Sequence, residues 1–382
     1  MRILVIGINI RHIASSAARA GHEVVAVDGF CDLDLQDFAP ETALLPREGA
    51  EDLLPAYIQR FHPEAVVLGP GLEEARASGV RVLNNPSQKT ATVSDKLWLA
   101  RWLEKKGFPF IRTKSTPDDL QYPILVKPRK GAGGVGCRLV RSAMELNWEE
   151  GLIAQDLVFG RPASVSVIGN GHGAQAIAVN EQLIGVPWAG AKGFRYTGNI
   201  TPLTPPAFGI AELAEDIITE LGLLGSNGVD FLLTERGPVV VEVNSRFQGS
   251  LDSVEMATGI NLFAAHLEAF AGRLPDRPIP RLTAGRAIIF APRNLKIEED
   301  LRRDWIADVP CPGSRIDRDD PVLSILAKGS DRDGVLAQLR ERAAKLRGRW
   351  EENSNSTKFE LKSPGNDSVN PVADQGPGLD NP

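Results

Sequence analysis

One predicted hairpin, in which polar side chains alternate with apolar ones, constrains the possible fold and function of this chain more than any other stretch. Residues 228–252, GVDFLLTERGPVVVEVNSRFQGSLD, are typical of two strands joined by a Glu-Arg-Gly turn. Residues two apart on a strand face the same side, so Glu242 and Asn244 are expected to point together while the valines between them enter a core. Asp230 lies on the neighbouring strand. The hairpin therefore brings three oxygen-bearing side chains to one surface.

Such a set of oxygen ligands suits a hard divalent cation. Mg²⁺ binds one or two protein carboxylates and completes its shell with water and phosphate oxygens, and Mn²⁺ accepts the same ligand types. Arg246 follows on the same face, and its guanidinium suits a phosphate or carboxylate. An exposed polar face of a half-buried strand explains the hairpin equally well. The metal–phosphate interpretation therefore depends on whether other segments supply a nucleotide site.

Composition excludes several classes of protein. With 382 residues, the chain is long enough for two to four structural units. A formal net charge of −6 argues against a general nucleic-acid-binding protein. Cys31, Cys137 and Cys311 are widely spaced, which predicts neither a disulfide framework nor a zinc site and favours a reducing cytoplasm. The apolar run at the N-terminus is too short for a membrane span.

The first 85 residues predict an open α/β sheet. Apolar strands at residues 2–7, 23–28 and 65–69 alternate with helical segments, the first of them over residues 11–20. The turn after the first strand lacks a G-x-G-x-x-G pattern, so dinucleotide binding is poorly supported. Asp28, at the end of the second strand, either contacts a ligand or simply ends the strand.

A lysine stands where a helix is expected to begin. Ser94 is the predicted cap, which places Lys96 in the first turn. A cation is unfavourable there because that end of a helix is positive, and a nearby anion would resolve the conflict. A solvated surface lysine is the alternative.

A second lysine precedes a glycine-rich loop. Lys127 ends an apolar strand, and four glycines follow within six residues before the next strand: Gly131, Gly133, Gly134 and Gly136. Their backbone N–H groups can close over phosphate oxygens, so phosphate contact is predicted, with a merely flexible turn as the alternative. Residues 151–171 then predict a strand, a turn at Gly160 and a second strand. At the end of the first strand, the main chain of Gln155, Asp156 and Leu157 can pair with a purine edge.

Taken in order, these pieces resemble the ATP-grasp superfamily from about residue 84 to 272, and the N-terminal unit is similar to its pre-ATP-grasp domain. The resemblance implies ATP held between two α+β subdomains, with Lys96 and Lys127 on its phosphates and residues 131–136 as a mobile loop over the β- and γ-phosphates. It implies that the segment from Gln155 through Asp156 to Leu157 lies against adenine.

The same resemblance implies that Asp230, Glu242 and Asn244 bind two Mg²⁺ and that Arg246 meets the transferred phosphoryl group. Pro162 stands where an acid often holds the ribose, so ribose binding is not predicted. Several stretches, FRYTGNITPL among them, are similar to the branch that contains tyramine–glutamate ligase of methanofuran biosynthesis.

The activity implied is that of a carboxylate–amine ligase. A substrate carboxylate, of amino-acid type with glutamate as one candidate, would attack the γ-phosphate of ATP to give an acyl phosphate and ADP. An amine would then displace phosphate and form an amide. Phosphoryl transfer depends on positioning and charge neutralisation, and no covalent protein group is needed. The alternatives are a carboxylase that activates bicarbonate and an inactive nucleotide-binding regulator.

Substrate specificity is predicted to lie in the segment KGFRYTGN. Arg195 is a candidate for a substrate carboxylate, Tyr196 for stacking on an aromatic amine, and Asn199 for a further contact, with an ordinary basic loop as the alternative. Gln248 and Asp252 are the other candidates, and Asp252 either orients the amine or caps the following helix.

The predicted fold class is α/β followed by α+β. Residues 1–85 form the pre-ATP-grasp open α/β domain, residues 86–272 the ATP-grasp fold with a small subdomain at about 109–155, residues 273–348 a small β-rich C-terminal domain, and residues 349–382 a disordered tail. The C-terminal domain is expected to close with a helix from Asp333 to about Leu346. The expected partners are a small carboxylate and an amine, without nucleic acid or a membrane, and a homodimer is left open.

Overall fold

A computed structural model describes residues 1–356. In the N-terminal unit of that range, parallel strands follow the order β3-β2-β1-β4-β5. Its elements are β1 (Arg2–Gly7), α1 (Arg11–Arg19), β2 (Glu23–Asp28), β3 (Glu41–Leu44), α2 (Leu54–Phe61), β4 (Ala65–Leu68) and β5 (Arg81–Val82). Strand β1 lies buried at the centre because its Ile, Leu and Val side chains are apolar on both faces.

A small antiparallel sheet follows, with the strand order β6-β9-β7-β8. Its strands and the two helices before it are α3 (Ser87–Val93), α4 (Lys96–Lys106), β6 (Thr113–Lys114), β7 (Ile124–Pro128), β8 (Arg138–Val140) and β9 (Leu152–Asp156). The glycine-rich loop joins β7 to β8, which is the strand–loop–strand arrangement that the sequence predicts.

The large sheet has the order β14-β13-β10-β11-β12-β15-β19-β17 within the described residues. The elements between residues 161 and 270 are β10 (Arg161–Asn170), β11 (Ala174–Ile184), β12 (Tyr196–Thr201), α5 (Ile210–Leu221), β13 (Leu224–Thr234), β14 (Gly237–Asn244), α6 (Leu251–Thr258) and α7 (Leu262–Phe270). Strands β13 and β14 are the predicted hairpin.

The C-terminal segment extends the large sheet and does not form a sheet of its own around its two long strands. Its elements are β15 (Thr283–Phe290), β16 (Leu295–Lys296), β17 (Ile306–Ala307), β18 (Arg315–Ile316), β19 (Pro321–Gly329) and α8 (Arg332–Ser356). Strand β15 pairs with β12 on one side and with β19 on the other. The predicted boundary at residue 272 therefore divides the chain but not the sheet.

Helix α8 is longer than predicted. It begins at Arg332 and continues through Ser356, past the expected end at Leu346. The reason is that Trp350, one turn further on, packs into the same apolar cluster as Leu346. Residues 349–356 of the predicted tail thus belong to a helix, and the rest of that tail lies outside the described residues.

A buried group of charges joins the three parts of the chain. We call Arg11, Asp252, Arg286 and Asp308 the interface cluster. Arg11, on α1, donates to both carboxylate oxygens of Asp252 at 3.0 and 2.5 Å and to Asp308 at 3.1 Å. Arg286, on β15, donates to Asp308 at 2.7 Å. Asp252 does not cap α6, whose cap position is Ser250, so the predicted cap is wrong. It is not part of the cavity lining described below, and its role in orienting an amine stays a prediction.

No helix in the described part of the chain combines the length and apolar character that crossing a membrane requires.

Candidate active site

A cavity of about 1430 Å³ lies between the small sheet, the large sheet and the N-terminal unit. Most of the predicted site residues line it: Lys96, Lys127, Gly131, Gly133, Gly134, Gln155, Asp156, Leu157, Tyr196, Asp230, Glu242, Asn244, Arg246 and Gln248. Gly136, Arg195 and Asn199 are not part of its lining. Segments that are more than 140 residues apart in the chain therefore meet around one space.

Two carboxyl groups face each other at one end of this cavity. Asp230 on β13 and Glu242 on β14 are direct partners in the antiparallel register. Burial and the Glu242 charge raise the pKa of Asp230 well above its ordinary value. Burial opposes ionisation of Glu242 as well, but Lys96 and Lys127 hold its pKa below the usual range. Asp230 is therefore the member of the pair that keeps a proton more readily, and Glu242 is the one that ionises more readily.

Two neighbouring carboxyl groups suit a bound cation, which would favour the ionised form of both. Asn244 completes the group, with its Nδ2 3.4 Å from Asp230 Oδ2 and 3.5 Å from Glu242 Oε1. The described residues contain no group of three or more His, Cys, Asp or Glu that could hold a metal ion. Two carboxyls and an amide fit Mg²⁺ or Mn²⁺ that takes its other ligands from water and phosphate, and binding would release the proton.

Two buried lysines face Glu242. Lys127, on β7, is 4% exposed, and burial lowers its pKa while the charge of Glu242 opposes that shift. Lys96 is 8% exposed, and its Nζ lies 3.6 Å from Glu242 Oε2 and donates to the carbonyl of Gly131 at 2.5 Å. Two ammonium groups beside a carboxylate that is a predicted metal ligand are suited to binding a polyanion.

The helix that carries Lys96 is capped by Asp95 and not by Ser94. The Asp95 side chain accepts hydrogen bonds from the amides of Leu97 and Trp98, while Ser94 donates to Glu74 at 2.6 Å. A carboxylate is favoured at the positive end of a helix, so the cap is one residue later than predicted.

The glycine loop packs against the segment before β12. Its four glycines all have positive φ, between 66° and 135°. The carbonyl of Gly133 accepts a hydrogen bond from the amide of Tyr196 at 3.1 Å. A Cβ on Gly134 would lie 1.9 Å from the carbonyl oxygen of Phe194. At position 134 the glycine loop therefore approaches the backbone of Phe194 so closely that only glycine fits.

Arg246 is held by an acid from the N-terminal unit. Its Nε lies 2.8 Å from Glu73 Oε1, and its charge acts on both Asp230 and Glu242. Glu73 carries no recognisable motif, and sequence reasoning missed it. A phosphate bound beside Glu242 would compete with Glu73 for this guanidinium.

The predicted adenine segment lies at the end of β9 in the small sheet and lines the same cavity. The Gln155 side chain is buried and donates to Thr113 at 2.8 Å, so its amide is already engaged. The Asp156 carboxylate is half exposed and lies 3.4 Å from Arg112. Contact with adenine through residues 155–157 thus remains a prediction, which rests on their main chain and on Leu157. Pro162 also lines the cavity, and the nearby Ser164 offers a hydroxyl there.

Two predicted substrate contacts are directed away from the cavity. Arg195 packs over the Phe290 ring at 4.5 Å and donates to the carbonyl of Asp319. Asn199 is fully buried and donates to Ser253 at 2.5 Å and to Thr201 at 3.1 Å. The C-terminal segment and α6 thus engage both side chains in this structure, and their role as substrate contacts stays a prediction that these contacts do not favour.

Tyr196 does face the cavity, and burial raises its pKa to about 12. Gln182 and Arg286 also line it, although sequence reasoning missed both. Gln182 hydrogen-bonds to Asp230 and thereby favours the ionised form of that carboxyl. The polar run of residues 180–182 on β11 was the available signal for Gln182, while Arg286 had none.

Comparison with known proteins identifies the fold. Residues 93–250 match the family described as the ATP-grasp domain. The chain is similar to an uncharacterized protein of Methanocaldococcus jannaschii, with 26% identity over 93% of this chain and 95% of that protein. It is also similar to a probable alpha-L-glutamate ligase of Aliivibrio fischeri, with 27% identity over 64% of this chain and 85% of that protein.

Solved structures agree at the level of the fold. Biotin carboxylase from Campylobacter jejuni, in complex with an ATP analogue, superposes with a TM-score of 0.72 at 16% identity and covers 88% of this chain and 89% of its own. L-amino acid ligase from Bacillus licheniformis superposes with a TM-score of 0.65 at 19% identity and covers 89% of this chain and 96% of its own.

Residues 93–250 thus contain an ATP-grasp domain, which confirms the predicted fold. The similarity to a probable ligase supports the predicted class, an ATP- and Mg²⁺-dependent carboxylate–amine ligase. The narrower resemblance to the tyramine–glutamate ligase branch stays a prediction.

Proposed function

We propose that this protein joins a carboxylate of amino-acid type to an amine through an acyl phosphate, and releases ADP and phosphate. The observation that carries the proposal is the meeting of two lysines, the carboxyl pair and Arg246 around one cavity under a glycine loop. The volume of about 1430 Å³ accommodates a nucleotide together with two small substrates.

The residues divide the work between binding and charge neutralisation. Lys96 and Lys127 hold the phosphates, and Asp230, Glu242 and Asn244 hold the metal. Bound Mg²⁺ supplies a Lewis acid and a template for the phosphate oxygens. Arg246 exchanges Glu73 for the transferred phosphoryl group. No covalent link to the protein is required, since positioning and charge neutralisation are sufficient.

The substrates are proposed to lie beyond the metal ligands, where Tyr196 and Gln248 line the cavity. Glutamate is a candidate acid, which the similarity to a probable alpha-L-glutamate ligase and the resemblance to the tyramine–glutamate ligase branch both support. A cytoplasmic location and a homodimer are part of the proposal, the first because the three cysteines are unpaired.

A substrate panel tests this function. We expect ADP and phosphate to form from Mg-ATP only when an accepted amino acid and an accepted amine are both present, with an amide as the third product. The panel crosses amino acids with amines, and mass spectrometry identifies the amide. ADP formation with bicarbonate alone, without an amine, would contradict the proposal and favour the carboxylase alternative, which the biotin carboxylase fold makes worth testing.

Gly134→Ala is expected to lower the rate of ADP formation by about tenfold or more, because the added methyl group prevents closure of the loop. Gly133→Ala is a matched control, since φ is positive there too but no atom lies within 4 Å of the added Cβ. Initial rates of ADP release at saturating Mg-ATP measure the effect. Equal rates for the two variants would show that the close approach at Phe194 has no catalytic importance.

A further inference from the structure

A second polar region lines the same cavity and has no part in the chemistry above. Asp32, in the loop after β2, is 4% exposed, and its side chain makes no capping hydrogen bond. His12, on α1, is also 4% exposed, and neither of its ring nitrogens has a hydrogen-bond partner among the described residues. Both residues line the cavity. Buried polar groups without partners are rare and costly, so this pair needs an explanation.

This region is separate from the metal ligands. Asp32 lies beside residues 309–311, because the amide of Leu33 donates to the carbonyl of Val309 at 2.8 Å and Cys311 Sγ donates to the carbonyl of Cys31 at 3.4 Å. Tyr196 lies next to Arg286 of the interface cluster, since a Cβ on Gly249 would be 3.4 Å from both side chains, and both line the cavity. We expect a ligand that reaches from the predicted metal ligands to Asp32 to be elongated and to pass Tyr196.

None of the ion pairs within residues 1–356 includes Asp32, and Arg11, whose charge acts on it, is already bound to Asp252 and Asp308. In the interface cluster, the two arginines are already bound to Asp252 and Asp308, which leaves the cluster neutral. Asp34 accepts hydrogen bonds from backbone amides of residues 308 and 309, and Asp28 accepts three from residues 10, 30 and 31, so each of these acids has a structural role. Asp32 is the acid of this region whose side chain lacks such a role in residues 1–356.

The protonation states of the pair agree with this geometry. Burial and the neighbouring acids raise the pKa of Asp32 to about 9. Burial lowers the pKa of His12 to about 4, so its imidazole is neutral and can accept a hydrogen bond. A cation placed beside Asp32 would restore its ionised form.

We propose that Asp32 and His12 form a subsite for an alkylammonium group carried by one of the two substrates, at the end remote from its reacting group. The ammonium pairs with the Asp32 carboxylate and donates a hydrogen bond to His12. This inference rests on the proposed ligase function. The group has two sources: the α-ammonium of the amino-acid substrate or a second amino group on the amine.

Equilibrium binding to the full-length protein with Mg²⁺ and a non-hydrolysable ATP analogue tests the subsite. The probes form two matched pairs, L-glutamate with glutarate and 1,4-diaminobutane with butylamine. We expect the wild type to bind the probe with the additional ammonium at least about tenfold more tightly in one pair, and that pair identifies the source. Asp32→Asn is expected to remove the difference, and His12→Asn to reduce it severalfold.

The control variant is Asp37→Asn, since Asp37 is exposed in the same loop and should leave the difference intact. Thermal melting of all variants checks the fold, which Asp32→Asn should preserve because it removes an unpaired carboxyl. Equal affinities within both pairs for the wild type, or an unchanged difference in Asp32→Asn, would overturn the subsite. ADP formation in the substrate panel is scored separately, so failure of the subsite is distinguishable from failure of the ligase function.

Discussion

We expect Glu242→Gln to reduce ADP formation by about a thousandfold or more, the scale on which removal of an electrostatic contact impairs phosphoryl transfer. Glu242 is the ionised member of the carboxyl pair, and it faces both Lys96 and Lys127. Glutamine cannot supply the negative charge that a metal ion requires. Lys127→Ala is expected to have an effect of similar size, because the phosphates lose a buried ammonium. Coupled-assay rates of ADP release over a range of Mg²⁺ concentrations measure both losses.

The matched control for this prediction is Glu235→Gln. Glu235 lies in the turn of the same hairpin but is exposed, so its substitution should leave turnover unchanged. Melting temperatures should show that all three variants are folded. Undiminished turnover in Glu242→Gln or in Lys127→Ala would reject the assignment of the metal–phosphate site.

Asp252→Asn is expected to lower the free energy of unfolding by about 3–5 kcal/mol, because it breaks a buried ion pair with Arg11 and leaves Arg11 and Arg286 to share the charge of Asp308. Burial opposes ionisation of Asp252, but Arg11 holds its pKa below the ordinary value. The stabilisation from this carboxylate is therefore present above the pKa of an unfolded aspartate and is lost as pH falls through the lower folded value. Urea unfolding followed at neutral pH measures the change.

Glu341→Gln is the control for the stability measurement. Glu341 forms an ion pair with Lys345 on the exposed face of α8, and solvent screens that pair. Its loss should leave the urea midpoint unchanged. A midpoint for Asp252→Asn equal to that of the wild type would show that the interface cluster does not stabilise the fold.

Local signals in the sequence were sufficient for the hairpin and for the strand before the glycine loop. The period of two along β14 placed Glu242 and Asn244 on one side, and antiparallel pairing brought Asp230 opposite them. The parallel strands of the N-terminal unit could also be predicted from the sequence, because their apolar runs are continuous. These features depend on neighbours within one element or one turn.

Sequence reasoning was incomplete where distant segments decide the outcome. Arg195 contacts the C-terminal segment, up to 124 residues away in the chain, and not the cavity. Asn199 donates to Ser253 on α6. Glu73 and Arg246 are far apart in the sequence and form their ion pair only in the folded chain. Arg286 lies on β15, a strand without a recognisable motif. Periodicity carries no information about such contacts, since it describes a residue's own element and not what packs against it.

The pairing of β15 with β12 has a consequence for how this architecture can be rearranged. A chain that ended at residue 272 would leave the backbone of β12 with a bare edge, open to association with other molecules. The last 80 or so described residues are therefore not an independent domain that could be exchanged, although their sequence composition resembles that of a separate unit. Recombination with other ligases would have to preserve the pairing of β12 with β15. The crossover points that preserve it lie before β10 or after β19.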